Sequence, residues 1–270
     1  MKPTARAAWD EPPVVHLVGA GPGDPELMTV KAQRVLSEAD VVVYDRLVGA
    51  EVLEMVPAGA MMVSVGKQPR DHPVPQPEIN ELMVRLARAG RRVVRLKGGD
   101  PFIFGRGSEE AEALTAAGLR FEVVPGITAA SGCAAALGIP LTHRGLASGV
   151  RFLTGHCRAD AALDFDWPGL ADPDTTLVVY MGLANIAEIS ARLIDHGLDP
   201  ATPTAVINNG TTARQRVFLT SLSEVAESVA GRAFDGPVLF VIGRVAGLAA
   251  ALGDLEDLNW DAEDAPAQAL

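Results

Sequence analysis

Two glycine-rich segments hold the residues best suited to chemistry. The denser one, Lys97-Gly98-Gly99-Asp100-Pro101-Phe102-Ile103-Phe104-Gly105-Arg106-Gly107-Ser108-Glu109-Glu110, leaves a Val-rich run, turns through two glycines and enters a helical stretch. Ser108 reads as a helix cap, and Glu109 and Glu110 suit the positive end of a helix. A turn with a cap does not account for Phe102-Ile103-Phe104, three large apolar side chains in a loop. An apolar wall beside glycine-exposed backbone donors suits an adenine-bearing ligand. The other segment, Gly19-Ala20-Gly21-Pro22-Gly23-Asp24-Pro25, sits where a dinucleotide fingerprint would. However, G-x-G-x-x-G needs glycine where Asp24 stands, and Pro22 and Pro25 remove amide donors from the turn. No G-x-x-x-x-G-K-[ST] cradle for a nucleoside triphosphate occurs either. The first segment is therefore either a ligand loop or a tight turn at the carboxyl end of a strand.

These loops need strands and helices to hold them. Short β-branched runs at 14–18, 41–44, 61–65, 93–96 and 121–124 read as strands, with helices at 27–39, 78–89 and 109–117. Continuous apolar strands linked through helices imply a mostly parallel sheet covered on both faces. A second series has strands at 151–154, 176–181, 204–207, 216–220 and 238–242, and helices at 186–196 and 222–230. The second of these helices opens on a capping box of Ser221 and Glu224. The closely spaced strands around Asn209-Gly210 suggest a hairpin, so this sheet should be mixed. The expectation is an α/β protein of two domains, 14–140 and 141–253, between an N-terminal tail (1–13) and an acidic C-terminal tail (254–270).

Composition removes several classes. The 270 residues are 48% apolar, too many for a disordered chain, and no long uncharged apolar run suggests a membrane span. The start has neither a signal-peptide core nor transit-peptide character, which points to a cytoplasmic protein. A net charge of −11 and a pI near 4.9 argue against nucleic-acid binding, although six of the acids lie in Asp254–Leu270, which has no base. Cys133 and Cys157 are at no metal-ligand spacing and read as small buried residues.

Eight strings occurring in order carry a resemblance: VGAGPGDPELMT (18–29), VVYDRL (42–47), KGGDPFIFGRGSEE (97–110), VVPGITAA (123–130), PLTHRG (140–145), LTGH (153–156), VVYMG (178–182) and NNGT (208–211). Together they resemble the tetrapyrrole methylase family, and most closely the members that act on uroporphyrinogen III. The resemblance implies two α/β domains with the active site in the cleft between them, S-adenosylmethionine as methyl donor with S-adenosylhomocysteine as product, no metal, and a homodimer. It further implies C-methylation at C-2 and C-7, giving precorrin-2 through precorrin-1, which the sirohaem, cobalamin and haem d1 routes share. Another precorrin methylase of the family, or a non-catalytic small-molecule binder on this fold, remains as an alternative.

By the same resemblance the cofactor pocket comprises Pro22, Gly98, Gly99, Asp100, Ile103, Thr128, Ala129, Met181 and Gly210. The substrate carries eight carboxylates, and Arg46, Arg106 and Arg144 are expected to hold some of them, since a guanidinium fork matches a carboxylate. Glu109, His156 and Met181 should also face substrate. Asp45 is implied as proton acceptor and Lys67 as proton donor; a competing assignment gives proton abstraction to Arg106, and Asp45 then orients Arg46. One departure stands out: relatives commonly read E-N-G-T or E-R-G-T where this chain has Asn208-Asn209-Gly210-Thr211.

Overall fold

The computed structural model describes residues 14–66, 74–156 and 163–252. Both expected tails, Lys67 and Cys157 lie outside the described residues. The chain forms two compact units, Met1–Thr128 and Ala129–Leu270.

The first unit contains β1 (Val14–Gly19), α1 (Val30–Ser37), β2 (Val41–Tyr44), α2 (Ala50–Glu54), β3 (Met61–Ser64), α3 (Gln76–Arg88), β4 (Val93–Lys97), α4 (Gly107–Ala116) and β5 (Arg120–Val124). Its sheet has the order β3-β2-β4-β1-β5, and every pairing is parallel. Val18, Val42 and Leu96 pack on one face with Val35 and Leu36 of α1, while Leu17, Val43 and Val93 pack on the other with Met83 of α3 and Leu114 of α4. Burial on both faces is why the inner strands β1, β2 and β4 read as largely apolar runs. Each such large side chain taken from water contributes about 1.5–3 kcal/mol. A parallel sheet also puts all its strand ends on one edge, so the loops after β1, β2, β4 and β5 emerge together.

The second unit contains α5 (Ala129–Ala136), β6 (Gly149–Thr154), α6 (Trp167–Leu170), β7 (Thr175–Tyr180), α7 (Ile186–Asp195), β8 (Pro203–Asn208), β9 (Arg216–Ser221), α8 (Val225–Ala230), β10 (Val238–Ile242) and α9 (Ala249–Leu252). Its sheet, β6-β7-β10-β8-β9, is mixed: β6 and β7 are parallel, and the other neighbours are antiparallel. The hairpin expected around Asn209-Gly210 joins β8 to β9. Two antiparallel steps through β10 return β8 to the direction of β7. The carboxyl ends of β6, β7 and β8 therefore share one edge.

Some local expectations need correction. The helix expected over 27–39 is a 3-10 turn, Pro25–Leu27, capped by Asp24, followed by α1, which Thr29 caps through Ala32 N at 3.1 Å. Asp24 thus explains the failed fingerprint: it is a cap where a pyrophosphate loop needs glycine. The helix expected at 222–230 begins at Val225, because the amides of Leu222 and Ser223 donate to Thr202 and Pro200 carbonyls. Its capping box does not form; Ser221 Oγ donates instead to Glu224 Oε2 at 2.9 Å. Ser108 lies inside α4, whose cap position belongs to Arg106. The units divide after Thr128, against an expected 140, because α5 buries Ala130 and Cys133 with Val178, Ile207 and Leu239 of the second sheet. The Ala, Ser, Gly and Cys of that helix give no apolar periodicity to read.

Candidate active site

In the first unit three loops interlock at the carboxyl ends of β1, β4 and β5, which are neighbours in the sheet. Gly99 N donates to Gly21 O at 2.7 Å and Gly21 N to Gly99 O at 3.3 Å, while Gly126 N donates to Asp100 Oδ2 at 3.0 Å. A Cβ on Gly126 would lie 2.2 Å from Gly99 O, and one on Gly19 would lie 2.6 Å from Gly126 Cα. Only hydrogen fits between these backbones. Asp100 has a knitting role, since its Oδ1 also accepts from Phe102 N at 2.8 Å. Gly126 was not among the expected site residues, although its string, VVPGITAA, was.

The apolar part of this site is uncovered: Phe102 and Phe104 are 54% and 39% exposed, and Ile103 is partly so. Pro22, Gly98, Gly99, Asp100 and Thr128 are partly exposed in or beside the loops. This arrangement fits S-adenosylmethionine. Glycine backbone can approach a methionyl group closely, and a Phe and Ile surface can take an adenine.

Arg106 holds a left-handed backbone (φ 58°) at the start of α4, and its guanidinium clasps Glu109 through Nε at 2.8 Å and Nη2 at 2.7 Å. Glu109 occupies one edge of the fork, leaving the Nη1 edge outside this pair. The same contact pushes the Arg106 pKa above the ordinary arginine value, the wrong direction for a base. Arg46 is exposed. Asp45 does not bond Arg46: its Oδ1 accepts from Leu47 N at 3.1 Å and its Oδ2 from Arg95 Nη2 at 3.3 Å.

The partner Arg95 was missed, as was the cluster behind it. Glu110, expected to complement the helix end, is wholly buried, and its Oε1 accepts from Arg95 Nε, Lys97 Nζ and Gln76 Nε2 at 2.9, 3.0 and 3.2 Å. Burial, then the neighbouring Arg95 charge, lowers the Lys97 pKa. A legible signal existed: in V-V-R-L-K, two cations two residues apart on an otherwise apolar central strand must share one buried face.

In the second unit the loops after β6 and β7 touch. Asn185 Nδ2 donates to Gly155 O at 2.7 Å, and a Cβ on Gly155 would lie 2.5 Å from Gly182 Cα. Met181, just before Gly182, is 50% exposed with φ 52°, and His156 is exposed after Gly155. Tyr180 Oη accepts from Ala130 N at 2.9 Å, which ties the β7 end to Ala129 and the start of α5. Arg144 is exposed on the tight loop closed by His143 N to Ala147 O at 3.0 Å. Asn208 and Asn209 are buried; Asn208 Nδ2 donates to Pro237 O at 3.2 Å, and Asn209 Nδ2 to Asp235 Oδ1 at 2.6 Å. The departure from the usual acidic residue thus supplies an amide that anchors the hairpin loop.

Gly210 rests on Cys133, whose thiol burial pushes up to about 12; a Cβ there would lie 2.2 Å from Cys133 Sγ. Overpacking of this kind costs roughly 1–3 kcal/mol. Gly210→Ala is expected to lower the melting temperature by about 3–10 °C. Adding Cys133→Ala should restore it, and a calorimetric scan of the single and double variants checks this.

Backbone strain coincides with the motifs. Among the described residues the non-glycine positions with positive φ are Phe104, Arg106, Met181, Asn209 and Thr211. All five lie within the KGGDPFIFGRGSEE, VVYMG and NNGT strings. Left-handed residues collect where surrounding structure enforces a functional geometry.

The sequence profile of the Tetrapyrrole (Corrin/Porphyrin) Methylases matches residues 14–226. The chain belongs to the tetrapyrrole methylase family. A Uroporphyrinogen-III C-methyltransferase of Paracoccus denitrificans is 52% identical to this tetrapyrrole methylase over 235 residues, covering 87% of this chain and 82% of that one. A Siroheme synthase of Azotobacter vinelandii is 54% identical over 231 residues; this methylase spans 50% of its length. The solved structure of a Thermus thermophilus Uroporphyrin-III C-methyl transferase complexed with S-adenyl homocysteine superimposes with a TM-score of 0.73 at 44% identity, covering 86% of this methylase and 92% of that chain. Among the described residues no helix of this methylase is long and apolar enough to cross a membrane.

Proposed function

We propose that this chain is a methyltransferase that uses S-adenosylmethionine to C-methylate uroporphyrinogen III. The observation that carries the reading is the trio of interlocked glycine loops flanked by the exposed Phe102 and Phe104. It is supported by the 52% identity to a uroporphyrinogen-III C-methyltransferase. In finer terms, methyl groups go to C-2 and then C-7, giving precorrin-1 and precorrin-2, and the protein works as a homodimer in the cytoplasm.

When bound, the cofactor supplies a sulfonium-activated methyl group to an electron-rich pyrrole carbon, and S-adenosylhomocysteine leaves. The chain's own contribution is placement. Pro22, Gly98, Gly99, Asp100, Ile103, Thr128, Ala129, Met181 and Gly210 hold the cofactor. Arg46, Arg106 and Arg144 bind substrate carboxylates, with Glu109 aiming Arg106, and His156 and Met181 contact the macrocycle. Once the new bond has formed, a proton must leave the skeleton. Asp45 accepts it, a role that suits a partly exposed carboxylate better than an arginine whose pKa is raised by Glu109. Lys67 supplies the proton-donor role.

Anaerobic incubation with uroporphyrinogen III and S-adenosylmethionine should add two methyl groups per macrocycle, read by mass spectrometry. A single addition would remove the second methylation. Methylation of a precorrin but not of uroporphyrinogen III would favour a later methylase of the family. Absence of S-adenosylhomocysteine release with either substrate would indicate a binding protein.

A further inference from the structure

The first unit links three buried charged groups, Arg95, Lys97 and Glu110, to the partly exposed Asp45 in one connected chain. Arg95 and Lys97 alternate with apolar residues on β4, so both side chains enter the face covered by α3 and α4. There Glu110 of α4 accepts from both, and Gln76 of α3 adds a third donor to the same oxygen. Glu110 Oε2 is buried without a hydrogen-bond partner among the described residues, so Oε1 alone anchors the cluster. The Arg95 guanidinium is engaged on every nitrogen: Nε donates to Glu110, Nη1 to the Leu96 and Val43 carbonyls at 3.0 and 3.4 Å, and Nη2 to Asp45 at 3.3 Å. Arg95 is 3% exposed and Asp45 25%, so the chain runs from a dry interior to a carboxylate at the surface edge. Buried ion pairs are weak devices for stability, since well-packed apolar residues do as well or better. A chain of them ending on one partly exposed carboxylate needs another use.

We propose that Arg95, clamped by Glu110 and Lys97, is a positioning residue that holds the Asp45 carboxylate in one orientation for accepting the substrate proton. This rests on the reading of Asp45 as proton acceptor. Each group has a distinct part. Lys97 and Gln76 fix Glu110, Glu110 fixes the plane of the guanidinium, and that plane fixes Asp45 Oδ2. The Leu47 amide fixes the other oxygen, so the carboxylate cannot rotate without losing a bond. Lysine at position 95 could satisfy Glu110 or Asp45 but not both, because it lacks the planar fork.

The test is a double-mutant cycle read as kcat, KM for uroporphyrinogen III and dissociation constant for S-adenosylmethionine. Asp45→Asn should lower kcat by about 10²–10³-fold, the usual range for a positioned acid or base. Arg95→Gln should lower kcat by about 10–100-fold, in the range that misplacement of a reacting group produces, with both binding constants within about twofold of the parent. In the Asp45→Asn background Arg95→Gln should cost less than about twofold more, because its only route to the reaction is gone. Should Arg95→Gln fail to fold, Glu110→Gln, which leaves Arg95 in place, takes its position in the cycle. Full additivity, or a loss confined to KM or to the melting temperature, would overturn the positioning role while leaving Asp45 as acceptor. An unchanged kcat for Asp45→Asn would overturn both.

Discussion

Arg106→Ala should nearly abolish turnover, lowering S-adenosylhomocysteine release in the presence of uroporphyrinogen III by roughly 10²–10³-fold, the scale on which single preorganised donors act. The fold should survive. Arg106 is 54% exposed and its described polar contact is Glu109, itself 44% exposed, so the lost pair is a surface one of little worth to stability. The left-handed backbone at φ 58° is no harder for alanine than for arginine. Arg106→Lys separates charge from geometry: it keeps the cation but cannot hold Glu109 and a substrate carboxylate on two edges at once, and should remain far below the parent rate. S-Adenosylmethionine affinity, measured by calorimetry, should stay within about twofold for both variants, since Arg106 is assigned to substrate. Near-normal turnover in a folded Arg106→Ala protein would take Arg106 out of the reaction.

The second large effect should come from a methyl group. In Gly126→Ala the new Cβ meets Gly99 O at 2.2 Å and Gly19 Cα at 2.8 Å. All of these are backbone atoms at the ends of hydrogen-bonded parallel strands, with no side chain free to swing away. The loops must separate, breaking the Gly126 to Asp100 bond and displacing the Gly21–Gly99 pairing beside it. We expect S-adenosylmethionine affinity to fall by about 10²-fold, as displaced binding groups would require, with a lower melting temperature. Gly90→Ala is the control. Gly90 also has positive φ (76°), but nothing lies within 4 Å of its Cβ. It should cost about 1–2 kcal/mol of stability and leave affinity unchanged. Equal affinity losses in the two variants would mean that general destabilisation, not loop spacing, is responsible.

These outcomes depend on features of unequal legibility. Val41–Tyr44 and Val238–Ile242 were readable to the residue because buried strands show as unbroken apolar, Val-rich runs between Gly, Pro and Asp. α5 was not, since Ala129–Ala136 offers no large apolar residues and only one polar residue, Ser131, to mark its faces. Glu110 was legible as a helix-start residue and illegible as a buried one, because its burial depends on cations that β4 brings against α4. The motif strings marked the candidate loops, yet they could not show that Asp100 spends both carboxylate oxygens on backbone amides. Nor could they show that Arg106 and Met181 are left-handed, because a non-glycine residue in that conformation leaves no mark on composition.

The five left-handed side-chain-bearing residues also bear on how far this protein lies from its own stability optimum. At about 1 kcal/mol apiece their combined cost is comparable to the lower end of the net stability of a typical domain, about 5–15 kcal/mol. Thr211 at φ 63° is the most telling, since a β-branched residue resists that conformation most. Selection for heat resistance alone would replace such residues with glycine and collect the difference. A thermostabilised variant obtained that way would give up the rigidity with which these loops present their side chains.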